Sequence, residues 1–140
     1  KESSAASDVY KRQEFMTTYI IGALLLALLQ TWLIPAAFNM KNFPWLGSNR
    51  DEPMPHEPSV MAGRAMRANT NLQETLPIFL ALALLSMQLE VDADVTGLAC
   101  WWLAFRVGHL VTYIAGFARL RTLLWLGSIV SLIMMALEFI

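Results

Sequence analysis

Residues 15–40 read FMTTYIIGALLLALLQTWLIPAAFNM, a run without a single charged side chain. A helix needs about 20 apolar residues to cross the hydrocarbon core of a bilayer. This stretch therefore predicts a membrane span, with Pro35 marking a kink or the end of the helix. It is longer than the apolar core of a secretory signal and has no basic flank of its own.

The rest of the chain agrees. Of 140 residues, 56% are hydrophobic and 15% charged, with a mean hydropathy of +0.49. A soluble domain carries about 45–50% and about 25%. The formal net charge of −1 leaves no basic face for nucleic acid. A single cysteine, Cys100, excludes an intrachain disulfide and a cysteine-based cluster. With His56 and His109 as the only histidines, no metal site is expected.

Residues 3–13, SSAASDVYKRQ, resemble residue for residue a translation of the transposon-end adaptor used in sequencing-library preparation. Residues 1–13 are therefore expected to be a non-native tail and carry no fold argument. The native chain is expected to start at Met16 or to have lost an upstream piece. The remainder holds seven Lys+Arg against nine Asp+Glu, a net charge of −2.

Residues 40–59 contain Pro44, Gly47, Pro53, Pro55 and Pro58 and are expected to form a loop. Ser59 suits the N-cap of a second helix over 60–89, which starts polar and turns apolar in TLPIFLALALLSMQL. Pro77 within it is tolerable where neighbouring helices re-satisfy the backbone. Glu90, Asp92 and Asp94 form a short acidic turn. A third helix is expected over 95–117 and a fourth from 122 to the C-terminus. The connection at 118–121 is so short that the two must be antiparallel neighbours. The fold class is an all-α membrane protein, a four-helix bundle in one domain over 14–140.

Positive charge sets the topology. Lys41, Arg50, Arg64 and Arg67 mark loop one and the start of helix two, Arg119 and Arg121 mark loop three, and loop two has none. Loops one and three are expected in the cytoplasm and both termini outside, in a bacterial inner membrane.

Two polar stripes interrupt the apolar helices. Arg64, Arg67, Asn71 and Glu74 recur at helical spacing on helix two; Arg106, His109 and Tyr113 do so on helix three. A charge at the helix centre costs at least about 2.5–3.5 kcal/mol by insertion scales. Glu74 could pair with Arg67 or Arg106, and the charges would then serve only as helix glue. The basic side nevertheless outnumbers the nearby acid, since Arg121 and Arg119 add to it. Guanidinium groups in excess near one interface favour a bidentate carboxylate or phosphate. The stripes therefore predict a cytoplasm-facing pocket for an anion. Elsewhere, Trp32, Trp45 and Trp125 suit an interfacial belt. Trp101 and Trp102 suit packing or lipid contact, and Cys100 is expected to be a small buried hydrophobe.

RAMRANTNLQETLPIF at 64–79 resembles the signature of the MAPEG family, membrane-associated proteins in eicosanoid and glutathione metabolism. The pattern is R-x-x-R-A-x-x-N-x-x-E followed by Pro and Phe. RVGHLVTY at 106–113 is similar to the R-x-x-H-x-x-x-Y of microsomal glutathione transferases, and Arg121 lies close to the family's loop arginine. The likeness is nearest to short bacterial members.

The resemblance implies a homotrimer in membrane lipid, with glutathione as co-substrate bound between protomers and a hydrophobic small-molecule substrate arriving from the bilayer. On that analogy Arg67 takes a carboxylate of the tripeptide, Asn71 helps hold it, and Glu74 takes the γ-glutamyl ammonium. His109 and Tyr113 line the site from a neighbouring chain, with Arg106 behind them. Arg64 steers the anion or serves the interface, and Arg121 is the catalytic residue bearing on the thiol. Departures are Thr75 where leukotriene-forming members have tyrosine and Asn69 where they have glutamine, while Arg119 competes with Arg121 for the loop role. The implied function is a glutathione-dependent transferase or peroxidase. The alternatives are a non-catalytic lipid- or partner-binding trimer of the same fold and, last, a small transporter component.

Overall fold

The computed structural model describes residues 2–89, 91 and 95–140, and every regular element among them is helical. The elements are α1 (Glu2–Leu28), α2 (Ile34–Ala37), α3 (Phe43–Leu46), α4 (Val60–Leu89), α5 (Val95–Ala115) and α6 (Ala118–Leu137). A π-helical turn, Leu29–Leu33, joins α1 to α2, so the first span continues to Ala37. This span and α4, α5 and α6 make four helices long and apolar enough to cross a membrane. The protein is an integral multi-pass membrane protein with a four-helix bundle. The expected acidic turn at Glu90, Asp92 and Asp94 lies outside the described residues.

Pro35 does not end the first helix. It lies directly after the π turn, inside a span that runs on to Ala37, so its missing N–H removes one bond of the ladder without ending the helix. The π turn just before it buries Gln30 while directing Thr31 toward Asn69 of α4, with Oγ1 to Oδ1 at 3.3 Å. Loop one is more ordered than its prolines suggest, because Asn42 is buried at its centre. Its Nδ2 donates to Asn39 Oδ1 at 2.8 Å and to the His56 carbonyl at 2.7 Å, and its Oδ1 accepts from the His56 amide at 3.0 Å. Ser59 caps α4 as expected, accepting from the Ala62 amide at 3.1 Å and donating to the Phe38 carbonyl at 2.7 Å.

The boundary between the last two spans differs from the sequence expectation. Gly116 takes φ +92°, a left-handed conformation that stops α5 at once. The amides of Gly116 and Phe117 fold back on the carbonyls of Tyr113 and Thr112, a Schellman motif. Helix then restarts at Ala118, so Arg119 and Arg121 stand in the first turn of α6 rather than in a loop. Cations there face the positive end of a helix dipole, which adds to their demand for an anion.

Small residues let the helices approach. Ala23, Ala68, Ala83 and Ala99 are buried among Leu72, Phe79, Trp102 and Met135, as expected where packing rather than water exclusion drives association. Trp102 is fully buried and stacks on Phe79 at 3.9 Å between centroids, whereas Trp101 faces outward. Cys100 is exposed, which corrects its expected burial. It shares the outward side with Trp101, and in a membrane that side is apolar, so hydrophobicity alone did not place it inward. Many other large apolar side chains, among them Leu24, Leu84, Leu123 and Val130, are exposed on the chain. They offer the bundle an apolar exterior for lipid.

Candidate functional site

Arg106 is the organising charge. It is only 1% exposed, and its guanidinium crosses from α5 to α4. Nη1 donates to Asn71 Oδ1 at 2.6 Å and Nη2 to Thr75 Oγ1 at 2.5 Å. Among the described residues, neither Glu74 nor another carboxylate is hydrogen-bonded to it. Asn71 and Thr75 lie one turn apart on α4, a spacing that fits the fork of a guanidinium. Arg106 thus stands behind the surface and fixes Asn71, a neutral partner able to present its amide N–H groups outward. Thr75, known from the sequence only as a departure from the leukotriene-forming pattern, has this definite task. The signal for it was its position four residues after Asn71.

Asn71, His109, Tyr113 and Arg121 line one cavity of about 180 Å³, together with Thr122 and Trp125 of α6. Arg64, Arg67, Tyr113 and Arg121 line a second of about 160 Å³ at the α5–α6 turn. Tyr113 and Arg121 belong to both, so the cavities adjoin. His109 meets Tyr113 edge-on with centroids 5.4 Å apart, and the Arg121 guanidinium lies 4.4 Å over the Tyr113 ring, a cation–π contact. The two polar stripes therefore meet within a single chain. Glu74 joins neither cavity. Both it and Arg67 are exposed on the chain. Arg119 lines neither cavity.

Among the described residues no carboxylate lines the smaller cavity, and three guanidinium groups do. Such an arrangement attracts an anion and favours the ionised form of any acid bound there. A third and larger cavity, about 670 Å³, lies on the opposite side of α4, between Trp32, Phe43, Trp45, Met66 and Asn69. Sequence reasoning missed it because it depends on how loop one folds over the helices.

The family model for the MAPEG family matches residues 15–140. The chain belongs to the MAPEG family. Membership gives this MAPEG protein a membrane function related to glutathione or eicosanoids. No curated protein and no solved structure matches the chain significantly.

Proposed function

We propose that this MAPEG protein is a glutathione-dependent transferase or peroxidase acting on a hydrophobic electrophile at the cytosolic membrane face. The observation that carries it is the convergence of Arg64, Arg67 and Arg121 on a small cavity that no described carboxylate lines, next to Asn71, His109 and Tyr113. Arg67 binds a glutathione carboxylate, Asn71 and Tyr113 orient the tripeptide, and Arg121 stabilises the thiolate. Glu74 takes the γ-glutamyl ammonium once a neighbouring protomer closes around it. Thiolate is the nucleophilic form, and no covalent enzyme intermediate is needed. The protein is a homotrimer with both termini outside, in a bacterial inner membrane.

The test is a titration of purified protein with glutathione, read by thiolate absorbance, followed by conjugation of a hydrophobic aryl electrophile. Saturable thiolate formation and turnover are expected. Absence of both in folded protein would overturn the enzyme. The second reading is a non-catalytic lipid- or partner-binding trimer of the same fold. It is favoured by the cavity of about 670 Å³ at loop one, within the size range of small-molecule sites, and it would be left standing by that result.

A further inference from the structure

Arg64 is set apart from the other arginines of the site by what it already holds. Its Nη1 donates to the Ile114 carbonyl at 3.1 Å. That carbonyl belongs to the last turn of α5, where helical acceptors have no helical partner. The Schellman bonds of Gly116 and Phe117 satisfy Thr112 and Tyr113, and Arg64 supplies a donor for Ile114. A cation at this negative end of the α5 dipole is also electrostatically favourable.

The guanidinium lies flat against the turn. A Cβ on Gly116 would stand 2.7 Å from Nη1 and 2.9 Å from Cζ and Nη2. Gly116 is thus required twice, by its φ of +92° and by the side chain packed on it. The turn leads straight to Arg121, whose amide makes an opening bond of α6 to the Phe117 carbonyl at 2.9 Å. The Arg121 guanidinium returns over Tyr113, just before the turn. Tyr113, the turn and Arg121 form one short unit, and Arg64 ties that unit to α4, the helix that carries Arg67 and Asn71.

We infer that Arg64 is a positioning residue, which clamps the α5–α6 turn so that Arg121 faces the thiol of a ligand held by Arg67 and Asn71. This rests on the proposed glutathione chemistry for its consequence, but the clamp is a property of the chain alone. Arg64 acts through Arg121 and takes no part in holding the tripeptide.

The experiment uses the whole chain in detergent with Arg64→Met, Arg64→Lys and Gly116→Ala. Methionine keeps the packing of the stem and removes the donor. In the ligand-free protein, Arg64→Met should speed amide hydrogen exchange across 116–121 by about tenfold or more, the equivalent of one lost bond to a charged group. With saturating glutathione, the midpoint of thiolate formation should rise by about one pH unit. At a fixed pH at least one unit below both midpoints, kcat should then fall about tenfold, while glutathione affinity stays within about threefold. Gly116→Ala should reproduce these effects, and Arg64→Lys should restore both exchange and midpoint, because one ammonium donor suffices for one carbonyl. Unchanged exchange in Arg64→Met would overturn the clamp. Lost affinity with an unmoved midpoint would instead make Arg64 a direct ligand. If the parent protein forms no thiolate, the glutathione reading fails and the positioning role with it, while exchange still reports whether the clamp exists.

Discussion

At the scale of single residues, the site depends on one buried cation with neutral partners. Arg106 has no described carboxylate in hydrogen-bonding contact, and its Nε has no partner. Losing one of its two acceptors should therefore be costly. Asn71→Ala is expected to destabilise the protein by about 1.5–3 kcal/mol, the range for a bond to a charged group, whereas Asn71→Asp should retain stability by supplying a charged acceptor. Thermal unfolding of the two variants in one detergent checks this; equal melting of Asn71→Ala and parent would show that the contact matters little. Arg121 and Arg119 make a matched pair two residues apart, but only Arg121 reaches Tyr113 and the cavities. A free thiol ionises near about 8.5, and a guanidinium beside it favours the thiolate. Arg121→Ala should move the bound thiol back toward its free value while keeping affinity within severalfold; Arg119→Ala should do neither. A pH titration of thiolate absorbance at saturating glutathione distinguishes them, and equal curves would remove Arg121 from the chemistry.

At the scale of elements, the described residues at the polar end of the bundle are held by caps. Ser59 closes the start of α4 and reaches Phe38 at the end of the first span. Arg64 and Gly116 close the end of α5. Ser59→Ala should cost about 1 kcal/mol and should loosen loop one together with the first turn of α4. The expected readout is a lower melting temperature with faster proteolysis between residues 47 and 58; unchanged cleavage would show that Asn42 holds the loop without help. The boundary between the last two spans was not legible because Gly116 and Phe117 suffice for the reversal. A two-residue turn leaves little compositional trace beyond its glycine, so Arg119 and Arg121 read as loop residues when they begin a helix.

At the scale of the whole molecule, Arg67 and Glu74 are the unfinished part. Both lie on the same stripe as Asn71, yet in the single chain both are exposed. Charges exposed along a membrane helix call for a protein or aqueous neighbour. A second copy packed on this face would cover them and would bring Glu74 to the ligand that Arg67 attracts. The proposed homotrimer is therefore expected to persist in mild detergent, and native mass spectrometry showing monomer alone would count against it. The proposed orientation concerns the same end of the bundle. Arg64 from the start of α4 touches the α5–α6 turn, so loop one and loop three share a side, as their common positive charge required. A reporter fused after Ile140 should be active outside the cytoplasm, and cytoplasmic activity would invert the assignment.

Four spans, their order, the side shared by the basic loops and the family were all legible in the sequence. Each rests on local features: uninterrupted apolar length, helical spacing of polar residues and Lys/Arg bias. Nearly all candidate site residues were legible for the same reason, since polar groups in an apolar helix are conspicuous. Their partners were not. Spacing left Glu74 able to pair with Arg67 or Arg106, but rotation of α4 against α5 decided that Arg106 meets Asn71 and Thr75. The same rotation turned Trp102 inward and Cys100 outward. In a bilayer both sides of a helix are apolar, so hydrophobicity cannot say which side is the core. Only packing, set by where small residues allow helices to touch, decides it.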